Sequence, residues 1–503
     1  MRLSHHPTFY HLKPPDHPYR TQRAGMAPGL TSETSLQTAA VKTVMAKPTS
    51  ILHRTPWQPA IAASGQGIYV TLEDGTRVID AVGGAAVACI GNGHPVVKQA
   101  IKDQVDNLSY VYNFQLSNDP AEKLAEFLVK TGNNAFELCT FVSGGSEAME
   151  AVIKLAKQYF VETNEPKRTN YIARQLSFHG NTLATLSLAY HPTRRAVYLD
   201  LLNTTNFHHV SPAYAKRFQK SDETEEQYVE RLRQELEDKF IELGPDTVIG
   251  FVAETVVGAT TGVVSAPKGY FKAMKSVCDK YGALFILDEV MSGMGRMGTL
   301  HAWESHGDGI APDLQAVAKG LGGGYASIGA VLMSKRVAEG IRDTAGFMKH
   351  GHTYQAHPLA CAASLAVQKV IVDEKLLENV NVRGEYLGSL LRERLQSPNA
   401  LAAPFTFDVR GGGAWWGVEF DFDGPEGKRV DFKGGQFAMI VQARAFEKGL
   451  IIMGFTGGSN LEGTKGNHIM LSPAYNVTKE EVEKIVDILV DSVEEVLKNS
   501  FVV

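Results

Sequence analysis

Three apolar runs in this chain each stop on a charged residue. Val248–Ala253 runs into Glu254, Ala283–Leu287 into Asp288 and Glu289, and Leu314–Ala318 into Lys319. Short uninterrupted apolar runs are the pattern of strands buried on both faces. Amphipathic helical stretches such as Lys268–Tyr281 lie between them. Buried strands alternating with helices require a mostly parallel sheet with helices covering it. Such a sheet collects the carboxyl ends of its strands along one edge, and ligands bind beyond that edge. Glu254, Asp288 and Lys319 are therefore expected at one site.

The same alternation extends in both directions. Upstream, Glu137–Val142 reads as a strand, followed by Ser143-Gly-Gly-Ser-Glu-Ala148 and a helix from Glu147 to about Glu162. Asn170–Ala173 is a short strand leading to Ser177-Phe-His-Gly180, and Glu225–Leu243 is a charged amphipathic helix. Ile328–Met333 is a further strand. Nearer the N-terminus, Ile68–Leu72 and Thr76–Ile79 flank Asp74-Gly75, a hairpin signal. Helices follow from Val96 to about Val105 and from Pro120 to Lys130. Tyr110, Tyr112 and Phe114 cluster between them, either as ordinary packing or as a pocket wall. The last third carries a helix from Pro358 to about Lys375, strands near Ala414–Phe420 and Ile469–Ser472, and a final helix opened by a capping box, Thr478 to Glu481.

This order predicts four parts: a leader over 1–45, an N-terminal piece of a small domain over 46–105, a large domain over 106–365 and the rest of the small domain over 366–503. A chain of 503 residues accommodates two lobes. The leader holds five prolines and four histidines within Met1–Gly29 and reads as a disordered extension. Its prolines oppose the amphipathic helix of a mitochondrial presequence. A cytoplasmic protein is expected, with mitochondrial targeting through this extension as the alternative. Fifty basic against 55 acidic residues leave no positive excess for nucleic acid, and no apolar run is long enough to span a membrane. Cys89, Cys139, Cys278 and Cys361 are too far apart in sequence for a zinc motif or a disulfide framework.

The chemistry is read from the strand ends. A lone strand-end lysine is ordinarily exposed. At the end of a buried strand, beside carboxylates, Lys319 loses hydration, its pKa falls, and the neutral amine becomes a nucleophile toward aldehydes. Gly320, Gly322, Gly323 and Gly324 then allow a sharp turn and the approach of something large. The Gly145-Ser146 turn opens a helix, whose free N–H groups form an anion site. No P-loop lysine follows, so a nucleoside triphosphate is disfavoured, and with it a Walker B role for Leu287-Asp-Glu-Val290. A phosphate cup, a buried carboxylate, an amine and the aromatic Phe178 match one ligand, pyridoxal phosphate. It has a phosphate, an aldehyde, a flat ring and a ring nitrogen that a carboxylate keeps protonated.

These residues, in this order, resemble the class III aminotransferases of the fold type I pyridoxal-phosphate family. That group includes the acetylornithine, ornithine and 4-aminobutyrate aminotransferases and the ω-transaminases. The resemblance spans about Gly65–Lys498. It rests on Ser143-Gly-Gly-Ser-Glu-Ala148, Phe178-His-Gly180, Ala253-Glu254, Leu287-Asp-Glu-Val290, Ala318-Lys-Gly320 and His350-Gly-His-Thr353. It implies an α/β fold with a large domain and a smaller α/β domain. Lys319 matches the catalytic lysine that forms the internal aldimine and moves the proton, and Asp288 the partner of the ring nitrogen. Gly145 and Ser146 match the phosphate cup, and Phe178 and Val290 the two faces of the ring. His179 and Glu254 fall in the same cofactor-binding motifs. Thr353 matches a threonine that reaches the neighbouring subunit's phosphate, which implies a homodimer. The implied reaction is ping-pong transfer of an amino group from an amine or amino acid to a 2-oxo acid or other carbonyl acceptor. Decarboxylation or an internal amino shift on the same fold is the alternative.

Three positions depart from ornithine-type relatives. Met470 stands where they carry a carboxylate-binding arginine, Gly258-Ala-Thr-Thr-Gly262 lacks their gating glutamate, and Met291 replaces a common glutamine. Loss of both halves of an ion pair is coherent, because either alone is a buried unpaired charge. The pattern is closer to ω-transaminases. Arg410 is read either as a structural arginine or as the residue that receives the acceptor's carboxylate.

Overall fold

The computed structural model describes residues 49–307 and 309–502. The leader assigned to 1–45, with its targeting alternatives, lies outside them. The centre is a seven-stranded sheet. Its strands in chain order are β1 (Leu138–Val142), β2 (Asn170–Arg174), β3 (Phe207–Val210), β4 (Val248–Glu254), β5 (Leu284–Asp288), β6 (Leu314–Val317) and β7 (Gly329–Met333). Their spatial order is β1-β7-β6-β5-β4-β2-β3.

All the neighbours pair in parallel except around β7, which runs antiparallel to both β6 and β1. The apolar run 328–333 therefore reads correctly as a strand but not as a parallel one. Periodicity carries no direction, and the short Lys319–Ile328 connection leaves no room for a crossover helix. The edge strand β3 has only two buried residues among its four, and its two histidines hide it from an apolar scan.

Every residue of β4, β5, β6 and β7 is buried. Apolar residues pack above and below them in two clusters, one around Phe251, Phe285 and Val317, the other around Ile249, Ile286 and Val331. Alternate residues of one strand serve opposite faces, so these strands have no polar side, as their sequences require.

Three smaller sheets complete the fold, the smallest pairing Val256–Val257 with Val264–Ser265 on either side of the 258–262 turn. Thr406–Gly412, Trp415–Phe420, Asn467–Leu471 and Met453–Thr456 form an antiparallel sheet in that order. The predicted hairpin forms between Tyr69–Leu72 and Arg77–Asp80, and Ala62–Gln66 adds to its outer edge. Leu450–Ile451 pairs in parallel with Arg77–Asp80, tying the first strands to the last third of the chain. Ile68, Ile79 and Ala81 share an apolar cluster with the final helix Lys479–Lys498. That helix has the expected cap: Thr478 Oγ1 accepts from Glu481 N (3.2 Å), and Glu481 Oε2 accepts from Thr478 N (3.0 Å). No helix among the described residues is long and apolar enough to cross a membrane, and no cluster of metal-ligating side chains occurs among them.

Candidate active site

The register of the sheet aligns the strand ends. Asp288 lies opposite Glu254 across β5 and β4, and opposite Ala316 across β5 and β6. Gly329, at the start of antiparallel β7, lies opposite Val142 at the end of β1. The turn after β1, Glu254, Asp288 and the Lys319 turn thus share one edge.

Within this edge the side chains are tightly linked. Asp288 is 5% exposed. Its Oδ2 lies 2.9 Å from His179 Nδ1, and its Oδ1 accepts from Val290 N at 3.0 Å. His179 is buried, and its other nitrogen, Nε2, has no partner among the described residues. Glu254 accepts through Oε1 from Phe178 N (2.9 Å) and through Oε2 from Gly258 N (3.2 Å). One carboxylate therefore holds both the aromatic residue and the turn that follows β4. Burial, with Asp288 adding repulsion, pushes the Glu254 carboxyl above its usual range.

Lys319 is pulled down to about 8, chiefly by burial, while Asp288 and Glu254 pull the other way. Its backbone adopts φ 42°, a left-handed conformation costly for a residue with a side chain. Gly323 and Gly324 also take positive φ. A Cβ on Gly322 would lie 2.5 Å from the Ala326 carbonyl oxygen, and one on Gly323 3.0 Å from Val367 Cγ1. These two glycines answer to a tight turn against the chain's own atoms, and not, as their number invites one to read, to the approach of a ligand.

The helix Gly145–Glu162 begins directly behind this cluster. Its first N–H groups have no partner within the helix. A Cβ on Gly145 would stand 2.7 Å from Val290 Cγ1, so only glycine fits beside Val290. Ser146 Oγ donates to Asn181 Oδ1 (2.9 Å) and accepts from Asn181 N (3.0 Å). Asn181 was not singled out from sequence, although it directly follows Phe178-His-Gly180. Thr353 stands apart: it is exposed, and its carbonyl accepts from Tyr110 Oη at 3.0 Å. Tyr112 and Phe114 are 56% and 86% exposed and stack on each other. Their exposure excludes the core-packing reading.

Met470 is fully buried in an apolar cluster with Val82, Val256, Val263 and Trp415, against which Met291 packs. Arg410 is largely shielded and engaged through all three nitrogens. Nε donates to Gly262 O (2.8 Å), Nη1 to Glu419 Oε2 (2.7 Å), and Nη2 to Thr261 O. Its structural reading is the one that fits this geometry. Burial alone would raise the Glu419 carboxyl, but the charges of His468, Arg410 and Arg217 hold it at about 2. An acid within the apolar run Trp415–Phe420 was the available signal for this network.

A cavity of about 480 Å³ lies at the opposite edge of the sheet, among Tyr171, Phe207 and Ile249, near the amino ends of their strands. It takes no part in this constellation. A second, of about 390 Å³, adjoins Ser143 and Ser327 on the side of the helix turn.

Comparison with known proteins agrees with the geometry. The profile of the class III aminotransferases matches residues 53–493. A protein of Gibberella zeae called an aminotransferase is 42% identical over 431 residues, covering 85% of this chain and 83% of its own. A chloroplastic gamma-aminobutyrate transaminase of Solanum lycopersicum is 31% identical, covering 86% and 80%. The crystal structure of a Pseudomonas jessenii omega transaminase in complex with PMP superposes with a TM-score of 0.79 at 30% identity, covering 88% of this chain and 94% of that one. The chain belongs to the class III aminotransferases, enzymes of amino-group transfer that work with pyridoxal 5′-phosphate.

Proposed function

We propose that Lys319, Asp288, Glu254, Phe178, His179, Val290 and the Gly145-Ser146 turn are the residues that hold the cofactor and carry out transamination in this chain. The observation that carries this reading is the convergence of a desolvated amine, a held carboxylate and free helix-terminal N–H groups on one sheet edge. They fit the cofactor. The helix start would take the phosphate, with Gly145 leaving room beside Val290. Asp288 would face the ring nitrogen, and Phe178 and Val290 the ring. When bound, pyridoxal phosphate supplies a carbonyl carbon that accepts the amino group and a ring that withdraws electrons.

The protein's part is proton handling and orientation. Near pH 8 a substantial share of Lys319 is neutral, so Nζ can take a proton from the donor carbon and return it. Two groups fix the Asp288 carboxylate, His179 Nδ1 and Val290 N, so its charge is aimed before substrate arrives. Glu254 couples Phe178 to the 258–262 turn and so sets the distance between the aromatic face and the substrate side.

Met470, sealed in an apolar cluster beside Met291, and a 258–262 turn without an acid support a substrate pocket of the ω-transaminase kind. They oppose an ornithine-type pocket. We also infer a homodimer in which Thr353 completes the neighbouring site. Tyr112, Phe114 and Leu116 are exposed on the loop of Asn113, whose Nδ2 donates to His352 O (3.0 Å), and Tyr354 is exposed beside Thr353. Sedimentation of a monomer with full activity is the result that removes this inference.

The test of the main reading is spectroscopic. The holoenzyme is mixed with a panel of amines and amino acids, and its visible band is followed. Bleaching by a donor, and recovery on adding a 2-oxo acid, are expected. A band that no donor bleaches defeats the assignment.

A further inference from the structure

The turn Gly258–Gly262 is gripped by two arginines. Arg410 takes the carbonyls of Thr261 and Gly262 from one side and is neutralised by Glu419. Arg194 takes the carbonyl of Ala259 from the other, through Nη2 at 2.8 Å. No other hydrogen bond to the Arg194 guanidinium is made among the described residues, and no carboxylate there lies within ion-pairing distance of it. A guanidinium has five N–H donors in a planar fork. Most of that fork is unspent.

The guanidinium carbon of Arg194 is 5.3 Å from the centre of the Phe178 ring. Phe178 in turn is tied by its N–H to Glu254, and so to the edge that holds Asp288 and Lys319. Burial lowers the pKa of Arg194 despite the exposure of the residue as a whole; the attraction of Glu254 opposes this and the charge of Arg54 adds to it. The loop after Thr456 closes on the same segment: a Cβ on Gly457 would stand 3.2 Å from His191 Nε2, and one on Gly463 3.0 Å from His191 Cε1. His191 lies three residues before Arg194 on the chain. The neighbouring Arg195 lies over Tyr190 instead, 4.8 Å from its ring centre.

We propose that Arg194 is the carboxylate anchor of this site, receiving the carboxylate of a 2-oxo acid acceptor and, in the opposite half-reaction, that of an amino acid donor. The proposal rests on the transamination reading above and names the substrate class it serves. Met470 and the acid-free turn remove the arginine expected elsewhere, and Arg410 is committed to Glu419. Arg194 remains as a partly desolvated cation with a free fork, flanking the aromatic residue and the turn that border the reacting edge. A planar fork matches a carboxylate in a bidentate pair, which a lysine does not reproduce. An amine donor without a carboxylate would not use it.

The experiment compares pyruvate with propanal, which lacks the carboxylate, as acceptors that restore the visible band of the donor-bleached holoenzyme. In Arg194→Gln the ratio of kcat/KM for pyruvate to that for propanal should fall about 30-fold, the loss expected of a charge-assisted pair. Arg194→Lys should recover part of that loss. In the wild type, propionate should compete with pyruvate, and propionamide should not. That measurement needs no variant and stands even if Arg194→Gln fails to fold. An unchanged ratio, equal inhibition by propionate and propionamide, or restoration by propanal alone overturns the anchor while leaving transamination intact. A wild-type band that no donor bleaches overturns both.

Discussion

Arg410 Nη1 donates to Glu419 Oε2 across 2.7 Å, and the Glu419 side chain is wholly shielded from solvent. Arg217 reaches the same carboxylate through Nε at 2.9 Å, and Ser459 Oγ donates to it at 2.6 Å. A carboxylate enclosed in this way gives the strand Trp415–Phe420 a fixed electrostatic contact with the 261–262 turn. It also leaves Arg410 nothing to offer a substrate.

Arg410→Met should therefore act on stability. Removing one member of a buried pair leaves the other charge unpaired, at a cost of about 3–5 kcal/mol. The thermal midpoint should drop by several degrees, and the KM for the oxo acid in the folded remainder should change less than about twofold. Paired calorimetry and steady-state kinetics check this. A large rise in KM at an unchanged midpoint would return Arg410 to the substrate.

Gly145→Ala tests the phosphate cup by sterics alone. The added methyl meets Val290 Cγ1 at 2.7 Å, too close for either atom. Overpacking of this kind costs about 1–3 kcal/mol. Because Gly145 starts the helix, the loss should fall on cofactor retention, at roughly tenfold or more in Kd. Adding Val290→Ala should restore part of it. Reconstitution of the apoenzyme, followed by the recovery of the visible band, measures both.

Asp288→Asn keeps the shape of the carboxylate and removes its charge. The donor half-reaction should slow by about 100- to 1000-fold, the scale of losing an oriented group that stabilises developing charge. A second effect follows at Lys319. Asp288 is the first of the two carboxylates that hold the lysine's pKa up against burial. Without it, the apparent pKa of the apoenzyme lysine should move further down, which pH-dependent chemical modification of Nζ can follow. A variant of unchanged rate sinks the role given to Asp288.

Much of this was legible in the chain. The apolar runs indicate a doubly covered sheet, and each stops on a charged residue, so the sequence pattern alone places Glu254, Asp288 and Lys319 on one edge. The helix Glu225–Leu243 falls where its pattern ends. Direction was not legible: β7 has the composition of the parallel strands β4, β5 and β6, and only its short connection reverses it. Nor were the contacts of polar side chains legible. Nothing local in His191-Pro-Thr-Arg-Arg195 indicates that Arg194 reaches Ala259, 65 residues away. Long-range pairs such as Arg217 with Glu419 leave only the trace of a charge inside an apolar run.

Holding Lys319 in its buried turn costs stability. In the folded apoenzyme its pKa is about 8, against 10.5 for an unperturbed lysine. Between these values the unfolded chain binds more protons than the folded one, so stability rises with pH across that window. Below about pH 8 the native state must keep a buried ammonium, and the penalty is fully expressed, on the order of 3 kcal/mol by linkage. Above about pH 10.5 the lysine is neutral in both states and the penalty is gone. Lys319→Met keeps the length of the side chain without the charge. The apo variant should therefore be more stable than the apo wild type at pH 7, while lacking transaminase activity and the visible band on reconstitution. Its advantage should shrink as pH rises from 8 to 10.5. Denaturant titrations of both apoproteins at several pH values give the difference directly. An advantage that does not change with pH would show that packing, and not the desolvated amine, sets the stability of this turn.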